Sequence, residues 1–226
     1  MKKIVIVSPH PDDEILGVGG TMLRHIKQGD EIFWLIITNI TKEQGYSDTK
    51  ILERQNEIKQ VADYLKIKDV IKLDYPTATL TSSDLLTLLP QITNFFKTIE
   101  PEIIYCPNRS DAHSDHRIVF SAVMACTKSF RFPYIREILM YECISETEFA
   151  PALLENAFQP NCFVDISNEI SEKLKLINIF NSEVGLHPFP RSEKNIRALA
   201  TFRGATMGVE YAEAFQLIKS LRIENV

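Results

Sequence analysis

The sequence predicts an α/β fold: a Rossmann-like three-layer sandwich with a mostly parallel sheet, formed by a single domain. Three observations favour this fold class. Short apolar runs rich in β-branched residues alternate with longer segments whose apolar residues recur at helical spacing. The helical segments span about a dozen residues, as in the right-handed crossovers that join parallel strands. No linker rich in Gly, Ser or Pro divides the 226 residues, so we expect one domain over 1–226.

The first half of the chain shows the alternation most clearly. A strand covered by helices on both faces has a continuous apolar run, and the first run, residues 4–7, consists of Ile and Val alone. Each helix is recognised by apolar residues three or four positions apart, and the third is preceded by Ser and Asp cap residues and followed by Pro101. In chain order the predicted elements are strand 4–7, helix 15–26, strand 32–38, helix 51–65, strand 70–73, helix 85–99, strand 103–106 and helix 118–126.

Beyond Phe130 the pattern is looser. It contains strand-like segments at 138–141 and near 163–164, and helical segments around 170–180 and 196–201. We expect the part of the chain from about residue 131 onwards to form a cover over a pocket, built onto the same domain. The loops near Tyr46 and at residues 187–190 are candidate walls of that pocket.

A glycine-rich run, residues 17–20, lies inside the first predicted helix. A dinucleotide-binding loop would precede its helix and would have the spacing G-x-G-x-x-G, which this run lacks. We therefore interpret these glycines as positions where the helix packs closely against the sheet.

The end of the first strand carries the most informative motif, SPHPDDE at residues 8–14. Ligands bind at the carboxyl ends of strands in open α/β sheets, so this location favours a functional role. His10 and Asp13 lie three residues apart across a turn and can converge on one cation, which leaves Asp12 free to act on a bound molecule. The alternative is that the two aspartates cap the next helix, where negative charge is favourable.

A second motif follows the strand at 103–106. Residues 107–116, PNRSDAHSDH, again separate a strand from a helix. Three of the five histidines of the chain lie in these two loops: His10, His113 and His116. Packing alone does not explain this concentration. His113 and His116 are three residues apart, so one can bind a metal while the other stands beside it. Of the other two histidines, His25 is interpreted as a structural residue and His187 as a surface or pocket-wall residue.

Together the motifs predict a metal site with three protein ligands, His10, Asp13 and His116. Structural zinc sites have four ligands and are rich in Cys, whereas catalytic sites keep one position for water. A metal lowers the pKa of water to about 7 and polarises a carbonyl group, which makes amide hydrolysis feasible. This ligand count therefore predicts a catalytic site.

Three neighbouring residues are assigned supporting roles in that chemistry. We expect Asp12 to act as the general base. We expect His113 to stabilise the oxyanion as an imidazolium and to protonate the leaving nitrogen. Asp115 is expected to orient His113 and to raise its pKa.

The two motifs together resemble those of the metal-dependent N-deacetylases of the LmbE-like (PIG-L) group, related to the enzymes of glycosylphosphatidylinositol, mycothiol and bacillithiol synthesis. The match extends along most of the chain and includes residues 54–57 and 203–215. The resemblance implies zinc at the three ligands, with Asp12 as general base and His113 as the acid or electrostatic partner.

The resemblance also implies that Arg54 contacts hydroxyl groups of an N-acetyl sugar. Without this resemblance, Arg54 would be interpreted as a solvated helix residue. One departure concerns the substrate, because many relatives carry an acidic residue in a Pro-Asp-Gly turn after the third strand, where this chain has Pro76-Thr77-Ala78. Thr77 leaves the reaction type unaffected and the identity of the sugar open.

Composition agrees with a compact cytoplasmic enzyme. The net charge is −5 and no run of Lys and Arg stands out, so we expect no nucleic-acid partner. No segment reaches the roughly 20 apolar residues that span a bilayer. The apolar stretch after Met1 ends at Ser8, within the first motif, which argues against a signal peptide. The four cysteines show no C-x-x-C spacing, so packed, reduced thiols are expected.

We therefore expect a zinc-dependent hydrolase that removes the acetyl group from an N-acetylamino sugar or its glycoconjugate. Ferrous iron accepts the same ligands. Two alternatives stay open: hydrolysis of another amide, such as a thiol conjugate, and a non-enzymatic module that uses the metal to hold a sugar or an acidic ligand. Asp12 and His113 count against the binding module, because binding requires neither. The sequence does not decide between a monomer and a homo-oligomer.

Overall fold

The structure is a computed structural model and describes residues 1–222. Residues 223–226, the end of the predicted domain, lie outside the described residues. The described part contains seven strands: β1 (Lys3–Ser8), β2 (Glu31–Asn39), β3 (Asp69–Pro76), β4 (Ile103–Pro107), β5 (Glu137–Tyr141), β6 (Cys162–Asp165) and β7 (Ala212–Ser220). They form one sheet in the order β3-β2-β1-β4-β5-β7-β6.

The prediction of a single α/β domain with a mostly parallel sheet is confirmed. The pairs from β3 to β5 are parallel, whereas β7 runs antiparallel to both β5 and β6. Six α-helices of the described part flank the sheet: α1 (Asp13–Lys27), α2 (Asp48–Tyr64), α3 (Leu85–Ile99), α4 (Ser114–Ala125), α5 (Ile170–Ile177) and α6 (Glu193–Ala205).

Strand β1 shows why the fold has three layers. Its apolar residues alternate between two cores: Ile4 and Ile6 join the core beneath α1, α2, α5 and α6, while Val5 and Val7 join the core beneath α3 and α4. All four side chains are fully buried. Burial of each contributes about 1.5–3 kcal/mol, so the strand is anchored at the centre of the sheet. The motif that follows β1 therefore starts from a rigid support.

The glycines at 17–20 pack closely, as predicted. A Cβ atom on Gly17 would lie 2.8 Å from Cγ of Tyr141 in β5, and one on Gly20 would lie 2.6 Å from Cγ2 of Ile166. Real Cβ atoms essentially never approach that closely. The glycines therefore let α1 lie against the sheet.

Strand β7 was not predicted, and the predicted helix at 170–180 ends at Ile177. The apolar pattern of β7 is interrupted by Glu213, which is buried and paired with Lys173 Nζ at 2.7 Å. Glu213 also accepts hydrogen bonds from the backbone N–H groups of Gly20 and Thr21. A buried carboxylate with these partners is compatible with a strand that is paired on both sides. The partners are distant in the sequence and cannot be inferred from it.

The part of the chain after residue 131 mainly extends the sandwich. It adds β5, β6 and β7 to the sheet, and it packs α5 against α1 and α6. The side chains from this part that line the cavity described below are Glu146, Glu183 and Arg191. No helix among residues 1–222 combines the length and apolarity required to cross a membrane.

Candidate active site

The two His/Asp motifs meet at one edge of the sheet. Strands β1 and β4 are hydrogen-bonded neighbours and run parallel, so the loops that follow them leave the sheet at the same edge. The helices that follow begin close by, α1 at Asp13 and α4 at Ser114. As a result, Nδ1 of His10 lies within 3.4 Å of Nε2 of His116.

Three donor atoms, from His10, Asp13 and His116, form a compact triangle. Oδ2 of Asp13 lies 3.3 Å from Nδ1 of His10 and 3.2 Å from Nε2 of His116, and the two nitrogens are 3.4 Å apart. Tetrahedral zinc with bonds of about 2.0–2.1 Å places its ligand atoms about 3.3–3.4 Å from one another. The residues that the sequence predicts as ligands therefore have the spacing that a tetrahedral divalent ion requires.

A carboxylate stands behind each histidine of the triangle. Nδ1 of His116 lies 2.8 Å from Oδ2 of Asp111, and Nε2 of His10 lies 3.1 Å from Oδ2 of Asp115. Such pairs orient metal-binding histidines and fix their tautomers. Asp111 is fully buried and was missed by the sequence analysis. Its position five residues before His116, within the same motif, was the signal that could have identified it.

The carboxylate of Asp115 makes no hydrogen bond to His113 among the described residues, so the expected orientation of His113 by Asp115 falls to its main chain. Besides facing His10, the carboxylate accepts hydrogen bonds from the backbone N–H groups of Ala78 (2.7 Å) and Leu80 (3.0 Å). Asp115 meets His113 through its main chain instead, because its backbone N–H donates to Nδ1 of His113 at 3.1 Å. The Asp115 side chain therefore supports a predicted metal ligand and the loop after β3.

A second group of donor atoms, from His10, His113 and Asp115, also converges within 4.8 Å. Two of its members are already engaged: Asp115 binds two backbone N–H groups, and Nδ1 of His113 accepts another. In the first group, by contrast, both histidines have supporting carboxylates. The triangle of His10, Asp13 and His116 is therefore the group that best fits a cation.

Asp13 is held from two sides. Its Oδ2 accepts the backbone N–H of His10 at 2.8 Å, and its Oδ1 accepts the thiol of buried Cys143 at 3.2 Å. Burial by itself would raise the pKa of Asp13, but the adjacent His116 and His10 rings hold it well below its ordinary value. Asp13 is therefore a carboxylate, the form that binds metals.

Asp12 occupies the N-cap position of α1 but does not act as a cap. Its backbone carbonyl accepts the first helical hydrogen bonds, while its side chain makes no capping hydrogen bond. Its φ angle of 125° is strained for a residue with a side chain, a feature that concentrates at functional sites. Burial, together with the charge of Asp13, raises the pKa of Asp12 to about 7. The simple helix-cap interpretation of Asp12 is therefore wrong.

Glu14 holds the backbone of Asp12 from inside the protein. Its Oε2 accepts the backbone N–H of Asp12 at 3.0 Å and the hydroxyl of Ser8 at 3.3 Å. The Ser8 hydroxyl in turn accepts Nε1–H of Trp34 at 2.9 Å. Burial and the nearby Asp12 raise the pKa of Glu14 well above its ordinary value. Glu14 therefore supports the loop as a buried acid and does not line the cavity.

His113 presents a neutral ring to the cavity. Because Nδ1 accepts the backbone N–H of Asp115, the ring proton lies on Nε2. Burial and the nearby His10 and His116 rings lower the pKa of His113 to about 4. The charge of Asp115 acts to raise this pKa, as expected, but burial outweighs it. A neutral ring with a proton on Nε2 can donate a hydrogen bond but holds no second proton to release.

Arg54 lies at the cavity wall but is largely engaged by the protein. It is buried, and its guanidinium donates to the carbonyl of Pro11 at 2.9 Å and to the hydroxyl of Ser182 at 3.2 Å. It also pairs with Glu183 and lies 3.2 Å from Glu57. Arg54 is therefore not the solvated helix residue that its sequence position alone indicates, and its contact with sugar hydroxyls stays a prediction.

Glu183 and Arg191 are also charged residues of the site that the sequence analysis missed. Nη1 of Arg191 lies 3.1 Å from Oδ2 of Asp12, and its Nη2 lies 3.2 Å from Oε2 of Glu183. Both lie at least 169 residues after the end of the first motif, in a segment without helical or strand periodicity. No sequence signal links them to it.

These residues surround an open cavity of about 250 Å³. Tyr46 and Thr77 line it, as does Glu146, which accepts the backbone N–H of His113 at 3.1 Å. The predicted wall at 187–190 does not line it, and His187 is exposed. The wall comes instead from the flanking residues Glu183 and Arg191.

Comparisons with known proteins point to one family. Residues 5–127 match the family model described as PIG-L, GlcNAc-PI de-N-acetylase. The diacetylchitobiose deacetylase of Thermococcus kodakarensis is 23% identical over 230 residues, which cover 98% of this chain and 85% of that protein.

Two solved structures show the same fold. The N,N'-diacetylchitobiose deacetylase of Pyrococcus horikoshii has a TM-score of 0.77 and 23% identity, over 96% of this chain and 84% of that chain. The 4-carboxy-2-hydroxymuconate hydratase of Pseudomonas putida KT2440 has a TM-score of 0.73 and 18% identity, over 100% of both chains. Because a deacetylase and a hydratase share the fold, the fold alone does not assign a reaction.

Proposed function

The chain belongs to the PIG-L (GlcNAc-PI de-N-acetylase) family, and we propose that it is a metal-dependent hydrolase that removes the acetyl group from an N-acetylamino sugar or its glycoconjugate. Zinc is the proposed ion, and ferrous iron is the alternative because it accepts the same nitrogen and oxygen ligands. Hydrolysis of another amide, such as a thiol conjugate, is the competing assignment that substrate trials would separate from it.

One observation carries the proposal. The donor atoms of His10, Asp13 and His116 lie 3.2–3.4 Å from one another, and two of these residues, His10 and Asp13, line the cavity together with Asp12. A group of three ligands that leaves one position open is typical of catalytic zinc. A divalent ion held there would supply a Lewis acid that polarises the acetyl carbonyl and makes water more acidic.

Asp12 is the proposed base and, later, the proposed acid. Its Oδ2 is held by Arg191, while no hydrogen bond among the described residues engages Oδ1, which is left for a water in the cavity. A carboxylate with a raised pKa can take the proton from that water and return it to the sugar nitrogen as the amide bond breaks. This replaces the expectation that His113 protonates the leaving group.

His113 is the proposed donor to the developing oxyanion. His113 lines the cavity, and the backbone N–H of Asp115 occupies Nδ1 and so leaves the ring proton on Nε2. A hydrogen bond to the carbonyl oxygen strengthens as negative charge develops there. A neutral ring supplies this stabilisation without a proton transfer.

The cavity favours a small, uncharged substrate. Its volume, about 250 Å³, lies below the roughly 300–1,000 Å³ typical of drug-sized ligands, so it suits a single sugar residue. Four carboxylates and two guanidinium groups line it, and both guanidinium groups are paired with carboxylates. With a divalent ion bound, the formal charges of these groups would sum to zero. No unpaired cationic side chain among these groups would then be left to bind an anionic sugar.

A direct test measures acetate release and free amine from a panel of N-acetylated sugars and glycosides. The protein is stripped with a chelator and reconstituted with one equivalent of zinc or ferrous iron. We expect equimolar acetate and amine from at least one N-acetylhexosamine, only when the metal is present. Absence of release from every sugar, by protein that carries one ion per chain, would refute the proposal.

A further inference from the structure

We propose that Arg191 is the positioning residue for Asp12, and that it acts within a closed ring of polar contacts through Glu183 and Arg54. This inference rests on the proposed function, in which Asp12 is the base. It assigns a role to a residue that lies outside both sequence motifs.

The contact with Asp12 is direct. Nη1 of Arg191 lies 3.1 Å from Oδ2 of Asp12, and this is the single side-chain hydrogen bond of the Asp12 carboxylate among residues 1–222. Asp12 is 3% exposed, and the Arg191 side chain, which also lines the cavity, is 22% exposed. With one oxygen fixed by the guanidinium, the other is directed to the cavity.

Arg191 is itself held by two residues of its own segment. Its Nη2 lies 3.2 Å from Oε2 of Glu183, and its guanidinium carbon lies 5.7 Å from the ring centroid of Phe189. Charge pairing on one edge and the aromatic ring on the flat face together leave a guanidinium little freedom to rotate. The position of Arg191 is therefore determined before a substrate enters.

The ring closes through Arg54. Glu183 pairs with Nη2 of Arg54 through its Oε1, while Nη1 of Arg54 donates to the carbonyl of Pro11 at 2.9 Å. Pro11 immediately precedes Asp12 in the chain. Both the backbone and the carboxylate of the base are thus tied to Glu183, one through Arg54 and the other through Arg191.

This arrangement distinguishes positioning from substrate binding. Both terminal nitrogens of Arg191 are engaged by carboxylates, and its Nε is buried with no partner among the described residues. Glu183 offsets the positive charge next to the cavity. The strained φ angle of Asp12 means that its side chain needs outside contacts to hold its direction.

The test replaces Arg191 in the full-length, zinc-loaded protein and measures kcat and KM separately. In Arg191→Ala we expect kcat to fall about 100-fold, the scale of loss when a reacting group is misplaced by about 1 Å. We expect KM and the metal content to stay at the wild-type values. Added guanidinium ion should restore part of kcat in Arg191→Ala and should not raise kcat in the wild type.

A matched control is Arg197→Ala. Arg197 also pairs with a glutamate, Glu193, and lies over an aromatic ring, Tyr211, but it does not line the cavity. We expect its kcat and KM to equal those of the wild type. Glu183→Gln provides a second variant: it keeps Arg191 but weakens its anchor, and we expect a smaller fall in kcat with KM unchanged.

The outcomes separate the inference from the proposed function. A raised KM with unchanged kcat in Arg191→Ala, loss of its metal, or unchanged kcat in Glu183→Gln would overturn the positioning role. If the wild type releases no acetate from any sugar, the proposed function fails. A crystal structure of zinc-loaded Arg191→Ala then decides the inference alone: a displaced Asp12 carboxylate supports it, and an unmoved one overturns it.

Discussion

Nδ1 of His10 and Nε2 of His116 lie 3.4 Å apart, although 106 positions separate these residues in the sequence. The pairing of β1 with β4 brings the two residues near each other, because the two motifs leave neighbouring parallel strands at the same edge. Asp13 completes the triangle from the first turn of α1. The metal chemistry proposed for the chain depends on this triangle.

Replacement of His116 by Ala should abolish most of the zinc binding. The variant lacks one of three ligands, so we expect protein purified without chelator to lose nearly all of its bound metal, as measured by elemental analysis. His187→Ala is the control, because His187 is exposed and lies outside the cavity lining. If His116→Ala kept one ion per chain, the ligand assignment would be wrong.

Replacement of Asp111 by Ala should weaken zinc binding without removing a ligand. Asp111 holds Nδ1 of His116 at 2.8 Å, and loss of such a partner typically costs about 10–100-fold in metal affinity. Competition with a chromophoric chelator measures the change. An affinity equal to the wild-type value would show that His116 does not depend on Asp111.

Asp115→Ala distinguishes the role that the structure gives Asp115 from the one expected from its sequence. Because its carboxylate faces Nε2 of His10, we expect zinc affinity to fall about 10–100-fold. A carboxylate that served only to orient His113 would leave the affinity unchanged and lower kcat alone. The same chelator competition, combined with steady-state kinetics at saturating zinc, separates these results.

Gly17→Ala should destabilise the fold. The new Cβ would lie 2.8 Å from Cγ of Tyr141, and overpacking of this kind costs about 1–3 kcal/mol in the free energy of unfolding. Gly19→Ala is the matched control, because its Cβ would meet only side-chain atoms, of Ile15 and Lys173, at 3.2 Å or more. Denaturant unfolding of both variants is the measurement, and equal stabilities would contradict the packing account.

Neutral N-acetyl sugars should be better substrates than anionic ones. Both cavity arginines, Arg54 and Arg191, are already paired with carboxylates. We therefore expect kcat/KM for a methyl glycoside of N-acetylglucosamine to exceed that for its 6-phosphate at least about tenfold, or about 1.4 kcal/mol. A preference for the phosphate would show that one of these guanidinium groups is released to bind substrate.

The two motifs and their meeting at three ligands could be predicted from the sequence, but most of the other long-range contacts of the site could not. His10, Asp12 and Asp13 follow from a strand end, a turn and a helix start, all within one short segment. The partner of the Asp115 carboxylate could not be inferred, because it depends on how α4 faces the first loop. Arg191 lies 179 positions from Asp12, in a segment with no periodic pattern.

Strand β7 shows the same limit at the level of the fold. Glu213 interrupts its apolar pattern, and Glu213 is compatible with the sheet because Lys173 and two backbone N–H groups of α1 satisfy it. A buried polar residue is informative only once its partners are known.

Titration of the chelator-stripped protein with zinc, followed by acetate release, tests the central claim most directly. We predict no activity without metal, a rise in proportion to added zinc, and a plateau at one equivalent per chain. Asp12→Asn should bind the same single equivalent while its kcat is lower by about 10²–10⁴-fold. Full activity of the metal-free protein, or of Asp12→Asn, would contradict the account.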